Sequence, residues 1–272
     1  MQPPKPFLSN SGYLIKAALF CIVFTGLFII LSFFKSAFPP NAERLVHGII
    51  GTVAAFLVTW IFLRADKISF AAIGLRFEKS TVPKFFSGVV IGIILMGLLL
   101  GGVVLFSGFT IETNKNSSFF HFLLLTLPLI PLAFMEELAF RGYPLVVIKE
   151  QTGFRSAVLI TALLFGLYHI ANGWTIQNAF LGAGVWGIIY GMGAVYSKGI
   201  SLSTGMHYAA NLTTSAFGIA DDSFNIWVLK QQNGMSLENY QSSGLATILP
   251  QLSLLLIGLL IMYWYMKKKI SK

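Results

Sequence analysis

The sequence predicts an all-α membrane protein, a polytopic bundle of about eight transmembrane helices, on three observations. Of its 272 residues 56% are apolar and only 11% charged, where a soluble domain carries about 25% charged. The apolar residues gather into stretches close to the ~20 residues a spanning helix needs. The lysines and arginines between those stretches then sort to one side of the bundle, as they do in membrane proteins whose cytoplasmic loops are basic.

Eight stretches qualify, at 13–34, 45–63, 85–107, 119–140, 155–171, 176–197, 200–220 and 246–266. The first follows MQPPKPFLSNSGYLIK and has no small-residue cleavage site behind a short apolar core, so it reads as a retained span. Residues 64–84 form a basic connection, within which ISFAAIGLRF is apolar enough to lie along the membrane interface. Gly88 and Gly92, Gly97 and Gly101, and Ala183, Gly187 and Gly191 repeat every four residues. Small residues at that spacing let helix backbones approach closely. Residues 221–245 read as a polar loop. No linker or repeat divides the chain, so 1–272 is expected to be a single integral membrane domain. The lone cysteine, Cys21, rules out an intrachain disulfide.

An even number of spans puts both termini on one side. With them fall Lys5, Arg64, Lys67, Arg76, Lys79, Lys84, Arg141, Lys149, Arg155, Lys198, Lys267, Lys268, Lys269 and Lys272, and Lys16 lies nearby; only Lys35, Arg44, Lys115 and Lys230 fall opposite. Both termini are therefore expected in the cytoplasm. The same distribution explains the net charge of +9 through membrane lipid, with no nucleic-acid partner.

A charge at the bilayer centre costs at least ~2.5–3.5 kcal/mol on insertion scales, so acids inside a span need a reason. Only Glu136 and Glu137 of the ten acidic residues fall within a predicted helix body. Glu137 and Arg141 are four apart and can pair, while Glu136 lies ~100° around the helix and remains available. Glu136 is 17 residues before Gly153 and His169 is 16 after it, so a hairpin turning near Gly153 levels the two. Pro144 is expected to kink that hairpin. His207 and Asn211, four apart, share a face of the seventh span. His47 and His121 sit near the starts of spans, where interfacial solvation is cheap, and are assigned no role.

A glutamate and a histidine converging on one point can deprotonate a water, and a second histidine with an asparagine can donate to an oxyanion. That describes peptide hydrolysis without a covalent intermediate. The same groups could instead fix helix register, relay protons in a transporter, or ligate zinc. No HExxH, no aspartate pair inside spans and no serine nucleophile elbow is present.

Glu136-Glu137-x-x-x-Arg141, Phe165-x-x-x-His169 and His207-x-x-x-Asn211 follow one another on separate predicted spans. In them the chain resembles the CAAX protease and bacteriocin-processing family, also called CPBP or ABI, related to the Ras-converting CAAX prenyl endopeptidase. The resemblance covers residues 120–215, read as the catalytic core. It implies an eight-helix, glutamate-dependent intramembrane endopeptidase acting on a membrane-associated protein or peptide, and a prokaryotic cell membrane as its location. It implies Glu136 as general base with His169 its partner, His207 and Asn211 as the oxyanion site, and Glu137, Arg141 and Phe165 in support. A metal-free site is favoured, since no pre-organising His-x-x-x-His or Glu-x-x-His pair occurs; the alternative is a divalent metal such as zinc on Glu136, His169 and His207. A non-proteolytic bacteriocin-immunity or scaffold protein of the same family is the competing function.

Overall fold

A computed structural model describes residues 12–39, 42–219, 225–231 and 245–270. Lys5, Asp221, Asp222, Glu238 and Lys272, and most of the loop read at 221–245, lie outside them. The helices are α1 (Tyr13–Ser32), α2 (Glu43–Asp66), α3 (Thr81–Ser107), α4 (Phe119–Thr126), α5 (Leu129–Glu137), α6 (Tyr143–Thr152), α7 (Phe154–Ala171), α8 (Val185–Ser197), α9 (Ser201–Ala216) and α10 (Leu245–Ile270). Two strands, β1 (Phe109–Thr113) and β2 (Trp227–Gln231), pair antiparallel with Phe109 opposite Gln231. This small ribbon was not foreseen; part of the presumed polar loop is strand.

Seven helical segments are long and apolar enough to cross a membrane. The stretch expected at 200–220 is not among them, because α9 has 16 residues and an amphipathic, polar-rich sequence, SLSTGMHYAANLTTSA. It is instead enclosed by its neighbours, with Leu202 to Ala210 all buried. A helix that touches protein on every side can carry serines, threonines and a histidine that lipid would penalise. The chain is thus an all-α, polytopic integral membrane protein of about eight helical passes, with α9 as its inner one.

The close α3–α9 packing explains one of the glycine pairs, Gly88 and Gly92. A Cβ at Gly88 would lie 2.1 Å from the Leu202 carbonyl oxygen, and one at Gly205 would lie 2.0 Å from that of Phe85. Gly92 similarly faces Met206, and Gly187 and Gly191 let α8 approach Ala162 and Val158 of α7. Among the described residues Gly97 and Gly101 meet nothing within 4 Å, so the packing role their spacing suggests is not seen there.

The span read at 119–140 extends to Thr152 and is broken twice. A turn at Leu127–Pro128 separates α4 from α5, and a wide π-turn at Leu138–Gly142 separates α5 from α6. Pro144 has no N–H to close the preceding helical bonds, and the chain accommodates it by widening the turn just before it, as π-bulges do. The connection expected to lie along the interface docks on the bundle instead. Ile68 and Ile73 are buried, and Gly74, at φ 79°, sits with its Cα neighbourhood directly against Gly199. Asp66, at the end of α2, ties Lys16 of α1 and the Tyr143 hydroxyl of α6 together. Cys21 is free and buried.

Candidate active site

The wide turn sets the site's geometry. From Met135 to Leu145 every residue is buried, so neither glutamate nor Arg141 reaches lipid. The Glu137 and Arg141 side chains are fully enclosed and form an ion pair at 3.3 Å. The guanidinium also donates from Nη2 to the Gly187 carbonyl at 3.2 Å. A Cβ at Gly187 would stand 3.2 Å from that nitrogen, so this glycine keeps the space Arg141 needs. The guanidinium carbon lies 4.4 Å from the centre of the Phe165 ring and 5.5 Å from that of Tyr190. Such faces stabilise a desolvated cation by ~2 kcal/mol. Phe165 thereby acquires a physical role, because the same ring touches both His169, at 4.5 Å between centroids, and His207, at 5.9 Å.

His207 is where the arrangement departs from the sequence reading. Its Nδ1 lies 3.0 Å from Glu137 Oε1 and its Nε2 lies 3.4 Å from Glu136 Oε2. An ionised carboxylate only accepts, so Nδ1 carries the proton donated to Glu137. The expected division, with Glu137 held by Arg141 alone and Glu136 left unpartnered, is corrected to one in which a single imidazole bridges the two carboxylates. Helical phase could not reveal this, since the glutamates diverge by ~100° and only a ring from another helix spans that divergence. Tyr190 stacks on the same ring at 4.5 Å and 15°, while Ser203 also approaches Glu137.

His169 donates from Nδ1 to the Phe165 carbonyl at 2.9 Å. A carbonyl accepts only, so Nε2 of the neutral ring keeps its lone pair. Tyr168, beside it in sequence, hydrogen-bonds Glu136. Trp174, in the connection after α7, packs edge-on against the His169 ring at 4.6 Å. Tyr168, Tyr190, Ser203 and Trp174 were missed by motif spacing, and Gly187 was read only as a packing residue. Only the tyrosines offered a signal, a phenol at mid-span needing a partner. His47, expected to be solvated, is corrected as well. Its ring lies 4.7 Å from that of Phe28, and its Nδ1 is buried without a hydrogen-bond partner among the described residues. His121 stays at the exposed start of α4.

Glu136, His169, His207 and Asn211 all border one cavity of about 850 Å³. The rest of its wall combines apolar residues of α3, α5, α8 and the start of α10 with polar ones that include Arg44, Thr175, Gln177, Asn178 and Gln251. Glu137 and Arg141 lie behind it, outside the lining. Among the described residues no three His, Cys, Asp or Glu side chains are arranged to hold a metal ion. His207 is held through Nδ1 by Glu137 with Nε2 turned to Glu136, and His169 is held through Nδ1 by the Phe165 carbonyl. A zinc centre needs three converging ligands and an open position, an arrangement these side chains do not form among the described residues.

No curated protein matches the chain. A family model, type II CAAX prenyl endopeptidase Rce1-like, matches residues 116–213 and so takes in all three motifs, with Glu136, His169, His207 and Asn211. Over that segment the chain is similar to the type II CAAX prenyl endopeptidase Rce1-like family.

Proposed function

We propose that the chain is a glutamate-dependent intramembrane endopeptidase that hydrolyses a peptide bond of a membrane-associated protein or peptide with an activated water. One observation carries this reading. Side chains from three separate helices, Glu136, His169 and His207 with Asn211, border the same cavity.

Glu136 takes a proton from a water in the cavity as the water oxygen attacks the peptide carbonyl carbon. The His169 Nε2 lone pair orients that water by accepting its second hydrogen. The new C–O bond leaves a tetrahedral oxyanion, to which the Asn211 carboxamide donates, with His207 donating from Nε2 when the ring is doubly protonated. Collapse breaks the C–N bond, and Glu136 returns its proton to the leaving amine. The balance is one water consumed, one carboxyl and one amine formed. Donors aimed at a developing oxyanion contribute ~10²–10³ in rate, and a positioned base ~10²–10⁴. Glu137 and Arg141 hold the His207 ring at its Nδ1 end, and Phe165 supports both imidazoles and the guanidinium.

The test uses purified protein in proteoliposomes, a proteome-derived peptide library and mass spectrometry of newly formed termini. New termini are expected with the wild type and absent with Glu136→Gln. A wild type that forms none, or a Glu136→Gln protein that forms the same ones, overturns the proposal.

A further inference from the structure

The cavity has an open end and a closed end, and the two ends differ in how many basic residues they carry. Its lining includes Val103 near the end of α3, Thr175 and Asn178 after α7, Thr214 near the end of α9, and Pro250 near the start of α10. Consecutive spans run in opposite directions, so all of these lie at one end of the bundle. Thr175 and Asn178 are exposed, and Trp174 is 48% exposed. At the other end the cavity meets the unbroken buried layer from Glu137 to Leu145, backed by Leu63 and Ile73, both about 2% exposed or less.

The closed end is the basic one. Leaving aside Lys5 and Lys272, which lie outside the described residues, and buried Arg141, twelve lysines and arginines gather there, including Arg64, Lys84, Arg155, Lys198 and Lys267. Four lie at the open end, and two of these are neutralised locally, Lys35 by Glu43 at 2.7 Å and Lys230 by Glu112 at 2.6 Å. Basic loops stay in the cytoplasm. The open mouth therefore faces away from it.

We infer that the site is served from the extracytoplasmic side, and, resting on the endopeptidase reading, that its substrate is an extracytoplasmic polypeptide stretch next to the membrane, such as the flank of an exported or membrane-anchored chain. The mouth suits such an occupant. Thr175, Gln177, Asn178 and Gln251 offer amide and hydroxyl groups to a peptide backbone, and Trp174 offers an apolar face. At about 850 Å³ the cavity lies toward the top of the ~300–1,000 Å³ range of ligand pockets, room for a short run of residues. A cytoplasmic chain end would have to cross the buried layer to reach Glu136.

The experiment separates access from turnover. In a Cys21→Ala background, Thr175→Cys or Thr152→Cys is introduced and intact cells are treated with a membrane-impermeant maleimide, before and after permeabilisation. Thr175→Cys is expected to react in intact cells, and Thr152→Cys, at the α6–α7 turn, only after permeabilisation. The reverse pattern, or a Thr175→Cys protein that never reacts, overturns the inference. The readout needs no activity, so an inactive protein still answers it. The substrate claim is then tested with vesicles of defined orientation and an impermeant peptide library. Glu136-dependent cleavage is expected only when peptides meet the extracytoplasmic face, and cleavage confined to the cytoplasmic face refutes it.

Discussion

Replacing Glu137, which does not itself line the cavity, by glutamine tests the architecture behind the site. The side chain is fully enclosed, pairs with Arg141 at 3.3 Å and accepts from His207 at 3.0 Å. Glutamine has nearly the same shape but is neutral, and its single carbonyl cannot replace both oxygens. Arg141 would stay charged with one backbone acceptor, the Gly187 carbonyl. Breaking a buried pair by removing one partner costs ~3–5 kcal/mol. The Phe165 and Tyr190 faces remain and offset part of that, which puts the expected loss near ~3 kcal/mol. For a chain of this size ~1 kcal/mol corresponds to ~2–4 °C in the unfolding midpoint, so thermal unfolding in detergent should fall by ~6–12 °C. Glu136→Gln should stay within ~1 kcal/mol of wild type, because its carboxylate meets no guanidinium. A second change sharpens the test. Arg141→Met in the Glu137→Gln background removes the stranded cation, and replacing both members of a buried pair is often nearly neutral, so part of the lost stability should return. A stable Glu137→Gln protein beside an unfolded Glu136→Gln protein would refute the assignment, and so would a double variant that loses the sum of the two single effects.

Gly187→Ala should cost ~1–3 kcal/mol by overpacking, because its Cβ would meet Ala162 at 3.1 Å and Arg141 at 3.2 Å; circular-dichroism melts check this, and an unchanged midpoint would show that Arg141 needs no such space. Gly88→Ala should destabilise the α3–α9 contact while Gly97→Ala leaves it unchanged, since only the first meets a backbone oxygen; equal effects in the same melts would refute the packing account. Exhaustive chelation of purified active protein should leave hydrolysis intact. Stoichiometric metal in elemental analysis, with activity lost on its removal and regained on re-addition, would defeat the metal-free site.

The helical count and the convergence of three motifs were legible because both rest on local rules, hydrophobic length and the i, i+4 face. Glu137 and Arg141 pair as their spacing predicts. What stayed hidden depends on relations between helices. No period in SLSTGMHYAANLTTSA shows that α9 is wrapped by protein instead of lipid, and its polar content made it look like a marginal span. Pro144 announces a disturbance, but whether a helix kinks, stops or widens depends on what packs against the freed carbonyls. The ribbon of β1 and β2 joins segments 118 residues apart at Glu112 and Lys230, a pairing that neither strand announces alone.

The same limit explains the reassigned imidazole. From spacing, Glu136 and Glu137 separate into a chemical residue and a structural one, because a helix turns ~100° between neighbours. In the folded chain that separation is the reason one ring can lie between them. His207 meets Glu137 through one nitrogen and approaches Glu136 through the other, so the ion pair behind the cavity and the carboxylate inside it share a ligand. Arg141 fixes Glu137, Glu137 fixes His207, and His207 fixes the distance to Glu136. A perturbation of the buried pair must therefore reach the cavity through the ring. Groups that act as one unit are usually non-additive for this reason, and here the physical link is a single imidazole supported edge-on by Phe165 and face-on by Tyr190.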